Sequence, residues 1–253
     1  HVNPDSHFPI QNIPFGVFSS PANKKKRVGI AIGDMVLDLS IIEKQGFFKD
    51  IEGLKKNVFN QASLNKFMSH DLNVCKTVRK KIQHLLDKKT PDIKDNIPLK
   101  VASLLPLEYC NMHLPVTIGD YTDFYSSREH ATNVGTMFRG KDNALNPNWL
   151  HLPVAYHGRT SSIIPSEQVI KRPKGQINPS NKNPEFGYSQ KMDFELEMGF
   201  FVGQGNKLGT PISIDDAHKH IFGMVLVNDW SARDIQKWEY VPLGPFLGKN
   251  FAT

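Results

Sequence analysis

The sequence has little cysteine and no long apolar run. Its 253 residues include only two cysteines, Cys75 and Cys110, and their number and separation predict neither a disulfide framework nor a cysteine metal site. No stretch approaches the roughly 20 apolar residues that a membrane-spanning helix needs. The first residues also lack a charged-then-apolar leader. We therefore expect reduced thiols, no membrane partner and a cytoplasmic location.

Several common motifs are missing as well. The chain has no glycine-rich phosphate loop, no dinucleotide fingerprint and no Gly-x-Ser-x-Gly elbow. The formal net charge of +6 raises the question of nucleic acid, but the basic clusters at 24–27 and 80–81 are not interleaved with the aromatic residues of a stacking platform. We interpret these clusters as solvated surface and predict no nucleic-acid partner.

The composition, 39% hydrophobic and 22% charged, is typical of a globular protein. Residues 27–39 predict a β-hairpin around Gly33 and Asp34, and residues 61–89 carry a helical period interrupted near 69–73. The sequence changes character near Pro115, after which glycine, proline and aromatic residues are frequent. We predict an α+β fold, mainly β with some α, with domains at 1–115 and 116–253.

Residues 193–203 predict a strand with two acidic side chains on one face. Side chains alternate along a strand, so Glu195 and Glu197 point the same way and Phe194 points the opposite way. Two carboxylates aimed at one point repel each other unless a cation or a shared proton lies between them. Oxygen ligands suit a hard cation such as Mg²⁺ or Ca²⁺. The alternative is the solvent-facing edge of an ordinary amphipathic strand.

Two further segments supply polar groups. Residues 119–131 predict a loop that leads into a helix, with Asp123 as its N-cap and His130 two turns later. A carboxylate and an imidazole so placed can bind a cation and accept a proton in one pocket, although a plain cap and a structural histidine are the simpler alternatives.

The other segment begins where an apolar strand ends, at Asn228 and Asp229. A helix predicted to follow would place Asp229, Arg233, Gln236 and Tyr240 on one stripe. Such a stripe is either an exposed surface with an Asp229–Arg233 pair or a pocket wall that holds a cation and a polyoxygenated ligand.

Several longer motifs resemble the fumarylacetoacetate hydrolase family. They are GDYTDFYSSREHATNVG at 119–135, MFRG at 137–140, NWLHLP at 148–153, DFELE at 193–197, NDWSARDIQ at 228–236 and WEYVPLGPFLGK at 238–249. The resemblance extends from about residue 8 to the last residue and is weakest across about 45–110.

The resemblance implies a small SH3-like β-barrel domain followed by a mixed β-roll catalytic domain. It implies a homodimer that hydrolyses a carbon–carbon bond of the diketo acid 4-fumarylacetoacetate, giving fumarate and acetoacetate, as the last step of tyrosine and phenylalanine breakdown. Members of the family continue beyond residue 253. We therefore expect the second domain to be incomplete here, and the glutamate that orients the catalytic histidine to lie in the later part.

The resemblance also assigns roles to individual residues. It implies metal ligands for Ca²⁺ or Mg²⁺ at Asp123, Glu195, Glu197 and Asp229, and a second Mg²⁺ position at Asp229, Lys249 (through its backbone) and Thr253. It places the catalytic base at His130. Residues that stabilise developing negative charge are Arg233, Gln236 and Lys249. Residues that contact substrate are Tyr125, Arg139, Gln236 and Tyr240.

Two alternatives remain open at this point. The chain could be another hydrolase or isomerase of the same superfamily that acts on an acylpyruvate or a hydroxydienedioate. It could also be an inactive relative that binds a cation and turns over no diketone.

Overall fold

The computed structural model describes residues 2–179, 183–242, 244 and 246–253. The chain divides into two compact units, one of residues 1–117 with 200–225 and the other of residues 118–199 with 226–253. The helices are α1 (Leu39–Lys44), α2 (Asn65–Met68), α3 (Leu72–Leu86), α4 (Pro91–Lys94), α5 (Ile97–Ser103), α6 (Arg128–Arg139) and α7 (Arg233–Glu239). The strands are β1 (Phe15–Ser20), β2 (Asn23–Ile32), β3 (Met35–Asp38), β4 (Leu104–Pro106), β5 (Asn111–His113), β6 (Tyr121–Phe124), β7 (Ala155–Gly158), β8 (Lys174–Ile177), β9 (Glu185–Tyr188), β10 (Met192–Val202) and β11 (Ile221–Ala232).

The first unit contains the predicted hairpin. Strands β2 and β3 pair antiparallel with Ile32 opposite Met35, and Gly33 turns the chain with a φ of 60°. Glycine adopts this left-handed conformation without the steric cost that a side chain would add. The hairpin prediction is confirmed.

The helical prediction for residues 61–89 is confirmed, including its interruption. Helix α2 ends at Met68, and α3 begins at Leu72 after Asp71, whose side chain accepts a hydrogen bond from the backbone N–H of Asn73. A capping aspartate of this kind starts a new helix rather than continuing an old one. The face of α3 that carries Val78 and Ile82 is fully buried, so the apolar period forms part of a core.

The fold is mixed α/β and rich in sheet, as predicted, but the SH3-like barrel is not confirmed. Among the described residues the strands of the first unit follow the order β4-β3-β2-β1-β5 in an open sheet. A barrel needs its outer strands to pair with each other. Here both outer strands have three residues, and Pro106 in β4 has no N–H to donate.

The second unit corrects the local prediction for Asp123. This residue lies in the middle of β6, opposite Tyr156 of β7, and the following helix α6 is capped by Ser127, whose side chain accepts a hydrogen bond from the backbone N–H of His130. The N-cap prediction was wrong because the pairing partner of β6 lies about thirty residues later, where a local pattern cannot reveal it.

The strand that carries Asp229 is also longer than predicted. Strand β11 continues to Ala232, and α7 begins at Arg233. The predicted helical stripe therefore starts at Arg233 rather than at Asp229. Strand β10 pairs with β11, which confirms the predicted strand over residues 193–203. Within the described part of the chain, no helix is both long and apolar enough to cross a membrane.

Candidate functional site

Three carboxylates converge in the second unit. Asp123 of β6, Glu197 of β10 and Asp229 of β11 each present an oxygen atom, and these atoms all lie within 4.8 Å of one another. Asp229 is fully buried. The three residues are distant in sequence, and each lies on a strand.

Two tyrosines hold this cluster from the side. The hydroxyl groups of Tyr121 and Tyr156 donate to Asp123 Oδ2 at 2.8 and 2.9 Å, and that of Tyr156 also lies 3.3 Å from Asp229 Oδ2. Burial, together with the neighbouring carboxylates, raises the pKa of both tyrosines far above the usual value. They therefore stay protonated and act as hydrogen-bond donors.

The three clustered carboxylates repel one another when they are ionised. Burial and the repulsion of Asp123 and Asp229 raise the pKa of Glu197 to about 8. Burial raises the pKa of Asp229 and outweighs the opposite effect of Lys249. In addition, Asp229 Oδ1 is buried and has no hydrogen-bond partner among the described residues. An all-oxygen donor set with a buried orphan oxygen fits a hard divalent cation.

Glu195 shares a face of β10 with Glu197, but its carboxylate has other partners. Its Oε1 accepts from Arg233 Nη2 at 2.7 Å, and its Oε2 accepts from Lys249 Nζ and Ser231 Oγ at 2.9 Å each. Burial alone would raise the pKa of Glu195. The hydrogen bond with His130 and the charges of Lys249 and Arg233 outweigh burial and hold this pKa well below the usual range. Glu195 is thus ionised and lies outside the cluster of three.

His130 lies in the first turn of α6. Its Nε2 is 2.9 Å from Glu195 Oε1, and its side chain is 37% exposed. The ring of Tyr125 stands edge-on to the imidazole at 5.6 Å between centroids. An imidazole that is fixed by a carboxylate on one nitrogen and open to solvent can accept a proton on the other.

Arg233, the first residue of α7, bonds both the carboxylate of Glu195 and the side chain of Gln236. Arg233 donates through Nε to Asp193 Oδ2 at 3.0 Å and through Nη1 to Gln236 Oε1 at 2.9 Å, in addition to its bond with Glu195. Lys249 is 2% exposed and its Nζ contacts both Asp229 and Glu195. Lys249 therefore connects the cluster of three to the Glu195 network.

Of the other predicted site residues, Tyr125 contacts this network through its ring, which stands against His130. Arg139 donates to the carbonyls of Asn143 and Ala144. Tyr125 donates to the carbonyl of Ala131. The ring of Tyr240 packs against Phe138. Thr253 Oγ1 is buried and has no partner in the described part of the chain. Leu243 and Pro245, within the 238–249 motif, lie outside the described residues.

Sequence reasoning did not find the two tyrosines. Tyr121 is two residues before Asp123, so the period of a strand would have placed them on one face once β6 was recognised. Tyr156 gave no local signal, because only the register of β6 with β7 puts it opposite Asp123.

The backbone at Gly158 lies close against the ring of Tyr121. A Cβ atom added at Gly158 would lie 2.2 Å from Cδ1 of Tyr121, so only glycine leaves room for the ring at this position.

Comparisons with known proteins cover almost the whole chain. Residues 11–115 match the family described as fumarylacetoacetase N-terminal, and residues 120–253 match that described as fumarylacetoacetate (FAA) hydrolase C-terminal. The chain is 57% identical to fumarylacetoacetase of Bos taurus and 56% identical to that of Homo sapiens over 253 residues, which is 100% of this chain. It spans 60% of the length of these relatives.

Similarity among solved structures is weaker. A fumarylacetoacetate hydrolase from psychrophilic Exiguobacterium antarcticum aligns with a TM-score of 0.46 and 16% identity over 95% of this chain and 62% of that one. The sequence matches, by contrast, cover both compact units and include all the residues of the carboxylate cluster. The chain belongs to the fumarylacetoacetate hydrolase family.

Proposed function

We propose that the protein hydrolyses 4-fumarylacetoacetate to fumarate and acetoacetate in a reaction that depends on a divalent cation. The observation that carries this proposal is the carboxylate cluster joined through Lys249 to the Glu195–His130 pair. Relatives that are 56–57% identical carry the name fumarylacetoacetase, which supports the choice of substrate. The proposed reaction is the last step of tyrosine and phenylalanine breakdown.

The proposed cation ligands are Asp123, Glu197 and Asp229, with Glu195 as the fourth. Ca²⁺ and Mg²⁺ are the proposed ions because every donor is an oxygen atom. A second Mg²⁺ position would use Asp229, the Lys249 backbone and Thr253. When bound, the cation would polarise the diketone oxygens as a Lewis acid.

The proposed base is His130. Since Glu195 is ionised, His130 donates its Nε2 hydrogen to Glu195 Oε1, and Nδ1 is left as the basic nitrogen. Nδ1 takes a proton from water, and the hydroxide oxygen forms a bond to the carbonyl carbon. Glu195 holds the ring in place and stabilises the imidazolium that forms.

Cleavage then breaks the carbon–carbon bond beside that carbonyl. The electron pair leaves with the acetoacetate fragment as an enolate, which takes up a proton, and the attacked fragment becomes fumarate. One water molecule is consumed for each substrate molecule.

Negative charge that develops on oxygen needs hydrogen-bond donors. Arg233 has five N–H groups and Lys249 has three, and their bonds within the protein leave some of these free. Together with the amide of Gln236, they are the proposed stabilisers of the oxyanion and the enolate. Each such donor contributes about 3 kcal/mol in comparable sites.

The proposed substrate contacts are Tyr125, Arg139, Gln236 and Tyr240. They combine a guanidinium, a carboxamide and two phenols, which suit the carboxylate and carbonyl oxygens of a diketo acid. Tyr125 lies closest to the base, since its ring contacts that of His130.

The direct test is loss of fumarylacetoacetate absorbance with purified full-length protein. We expect turnover in Ca²⁺ or Mg²⁺, loss of turnover on chelation, and recovery when the cation is restored. His130→Ala should reduce kcat by at least about a hundredfold. Turnover that survives both chelation and His130→Ala would disprove the mechanism.

A substrate panel tests the choice of substrate. Acylpyruvates and hydroxydienedioates should turn over far more slowly than fumarylacetoacetate. A higher kcat/KM for either would assign the protein to another reaction of the superfamily, and cation binding without any turnover would make it an inactive relative.

Some wider features are part of the same proposal. We propose domains at 1–115 and 116–253, a β-roll in the second, a homodimer and a cytoplasmic location. Sedimentation of the full-length protein would test the dimer.

A further inference from the structure

The backbone that carries Lys249 is held by a carboxylate at the end of α7. Glu239 Oε1 accepts hydrogen bonds from the backbone N–H groups of Leu247, Gly248 and Lys249 at 2.9, 3.1 and 2.8 Å. Its Oε2 accepts from Gly248 at 2.9 Å as well. Three consecutive amides around one carboxylate form an anion-binding nest, here filled by a side chain of the same protein.

A guanidinium holds the carbonyls of the same segment. Arg159 donates through Nη1 to the carbonyl of Leu247 at 3.0 Å and through Nη2 to that of Asn250 at 2.8 Å. Glu239 therefore binds the donors of residues 247–249, and Arg159 binds acceptors on either side of Lys249.

Backbone pairing gives this segment limited support: among the described residues, its bond to β11 runs from the backbone N–H of Ala232 to the carbonyl of Lys249 at 3.0 Å. Residues 246–250 belong to neither a helix nor a strand, and Gly248 adds backbone freedom immediately before Lys249. Yet Lys249 is buried and its ammonium group contacts two carboxylates. A long lysine side chain reaches such a place reproducibly only if its backbone is fixed.

We propose that Glu239 and Arg159 are positioning residues that act through Lys249, keeping its ammonium group between Asp229 and Glu195. The consequence for hydrolysis rests on the proposed function. The consequence for charge does not, because an ammonium group bonded to Asp229 repels any cation in the cluster whatever the reaction.

The test is a double-mutant cycle on Ca²⁺ affinity in the full-length protein. Calorimetry would compare wild type, Glu239→Gln, Lys249→Met and the double variant at one fixed pH. The glutamine in the Glu239→Gln variant offers one carbonyl oxygen to three amides and brings an NH₂ group that cannot accept from them. Glu239→Gln and Lys249→Met should each tighten Ca²⁺ binding, because the ammonium group that repels the cation no longer lies beside Asp229.

The double variant separates positioning from general stability. If Glu239 acts through Lys249, Glu239→Gln adds nothing in the Lys249→Met background. Amide hydrogen exchange at residues 247–249 should accelerate in Glu239→Gln. Arg159→Met should behave in the same way, and Arg159→Lys should partly restore the wild-type affinity. The matched control is Glu108→Gln, at an exposed glutamate in the other unit.

Two outcomes would overturn the inference. One is equal effects of Glu239→Gln with and without Lys249, and the other is unchanged Ca²⁺ affinity in a variant whose 247–249 amides exchange faster. Urea unfolding of each variant would identify any that fails to fold. If Glu239→Gln fails to fold, Arg159→Met takes its place in the cycle. Absence of hydrolysis in wild type would refute the proposed function. The double-mutant cycle would still test the inference, because it measures Ca²⁺ affinity and not hydrolysis.

Discussion

The hydroxyl of Tyr156 lies within hydrogen-bond distance of two of the three clustered carboxylates. Removing it with Tyr156→Phe keeps the ring and its packing against Phe246 but takes away one of the two donors to Asp123. Partners of this kind typically change metal affinity by 10- to 100-fold, so we expect Ca²⁺ affinity to fall by about tenfold. Titration calorimetry measures it.

The control for this change is Tyr109→Phe, at an exposed tyrosine of the first unit. It should leave Ca²⁺ affinity as in wild type. Equal affinity for Tyr156→Phe and wild type would mean that the carboxylates hold their arrangement without the hydroxyl.

Glu197 makes cation binding depend on pH. Its pKa is raised from 4.5 to about 8, so at neutral pH the metal-free cluster holds a proton that a cation must displace. Ca²⁺ binding should therefore release about one proton at pH 7 and almost none at pH 9. Calorimetry in two buffers of different ionisation enthalpy measures this release. In Glu197→Gln no proton should be released, and persistence of the release there would assign it to another group.

The raised pKa of Glu197 also determines how the stability of the metal-free protein changes with pH. Between pH 4.5 and about 8 the folded protein binds a proton that the unfolded chain has lost. The contribution of Glu197 to the free energy of unfolding is therefore greatest below pH 4.5 and declines as the pH rises to about 8.

Helix α6 depends on its cap to present His130. Ser127 Oγ accepts a hydrogen bond from the backbone N–H of His130 at 3.2 Å, which satisfies one of the free donors of the first turn. Ser127→Ala should lower the free energy of unfolding by about 1 kcal/mol, measured by urea titration. Ser127→Asp keeps a capping oxygen and should retain most of the stability. A loss as large in Ser127→Asp as in Ser127→Ala would contradict the capping role.

Local patterns predicted the elements whose signals lie within a few residues. The hairpin around Gly33 and the break in the helical period near 69–73 are such cases, and the alternation along β10 is another. Asp123 and Asp229 lie together, but Asp123 is on a strand instead of a helix cap, and the strand that carries Asp229 is longer than predicted. The roles of Tyr156 and Glu239 depend on register and on loop backbone, which no single segment encodes.

The resemblance supplied the candidate site residues, and the structure separates them into two groups. Asp123, Glu197 and Asp229 converge on one point with Lys249 beside Asp229, whereas Glu195 lies apart from them and is paired with both Arg233 and Lys249. A sequence pattern cannot make that distinction, because strand alternation treats Glu195 and Glu197 alike.

At the scale of the whole molecule, cation binding should stabilise the folded chain. A ligand that binds only the folded state adds about 2.7 kcal/mol at 100 times its Kd, so Ca²⁺ at that excess should raise the free energy of unfolding by this amount. Urea titration with and without chelator measures it. Asp229→Asn should abolish the increment while Glu108→Gln retains it, and an equal increment in both variants would place the ion elsewhere.

Gly158 affects the carboxylate cluster although it is not one of the proposed ligands. One added methyl group would push against the ring of Tyr121, and the hydroxyl that bonds Asp123 would move with it. We therefore expect an inherited Gly158→Ala change to weaken cation binding as well as to strain the local packing. Gly158 is not itself a ligand, yet a higher cation concentration should fill the weakened site again. Such a variant would differ in this respect from one that has lost a ligand side chain.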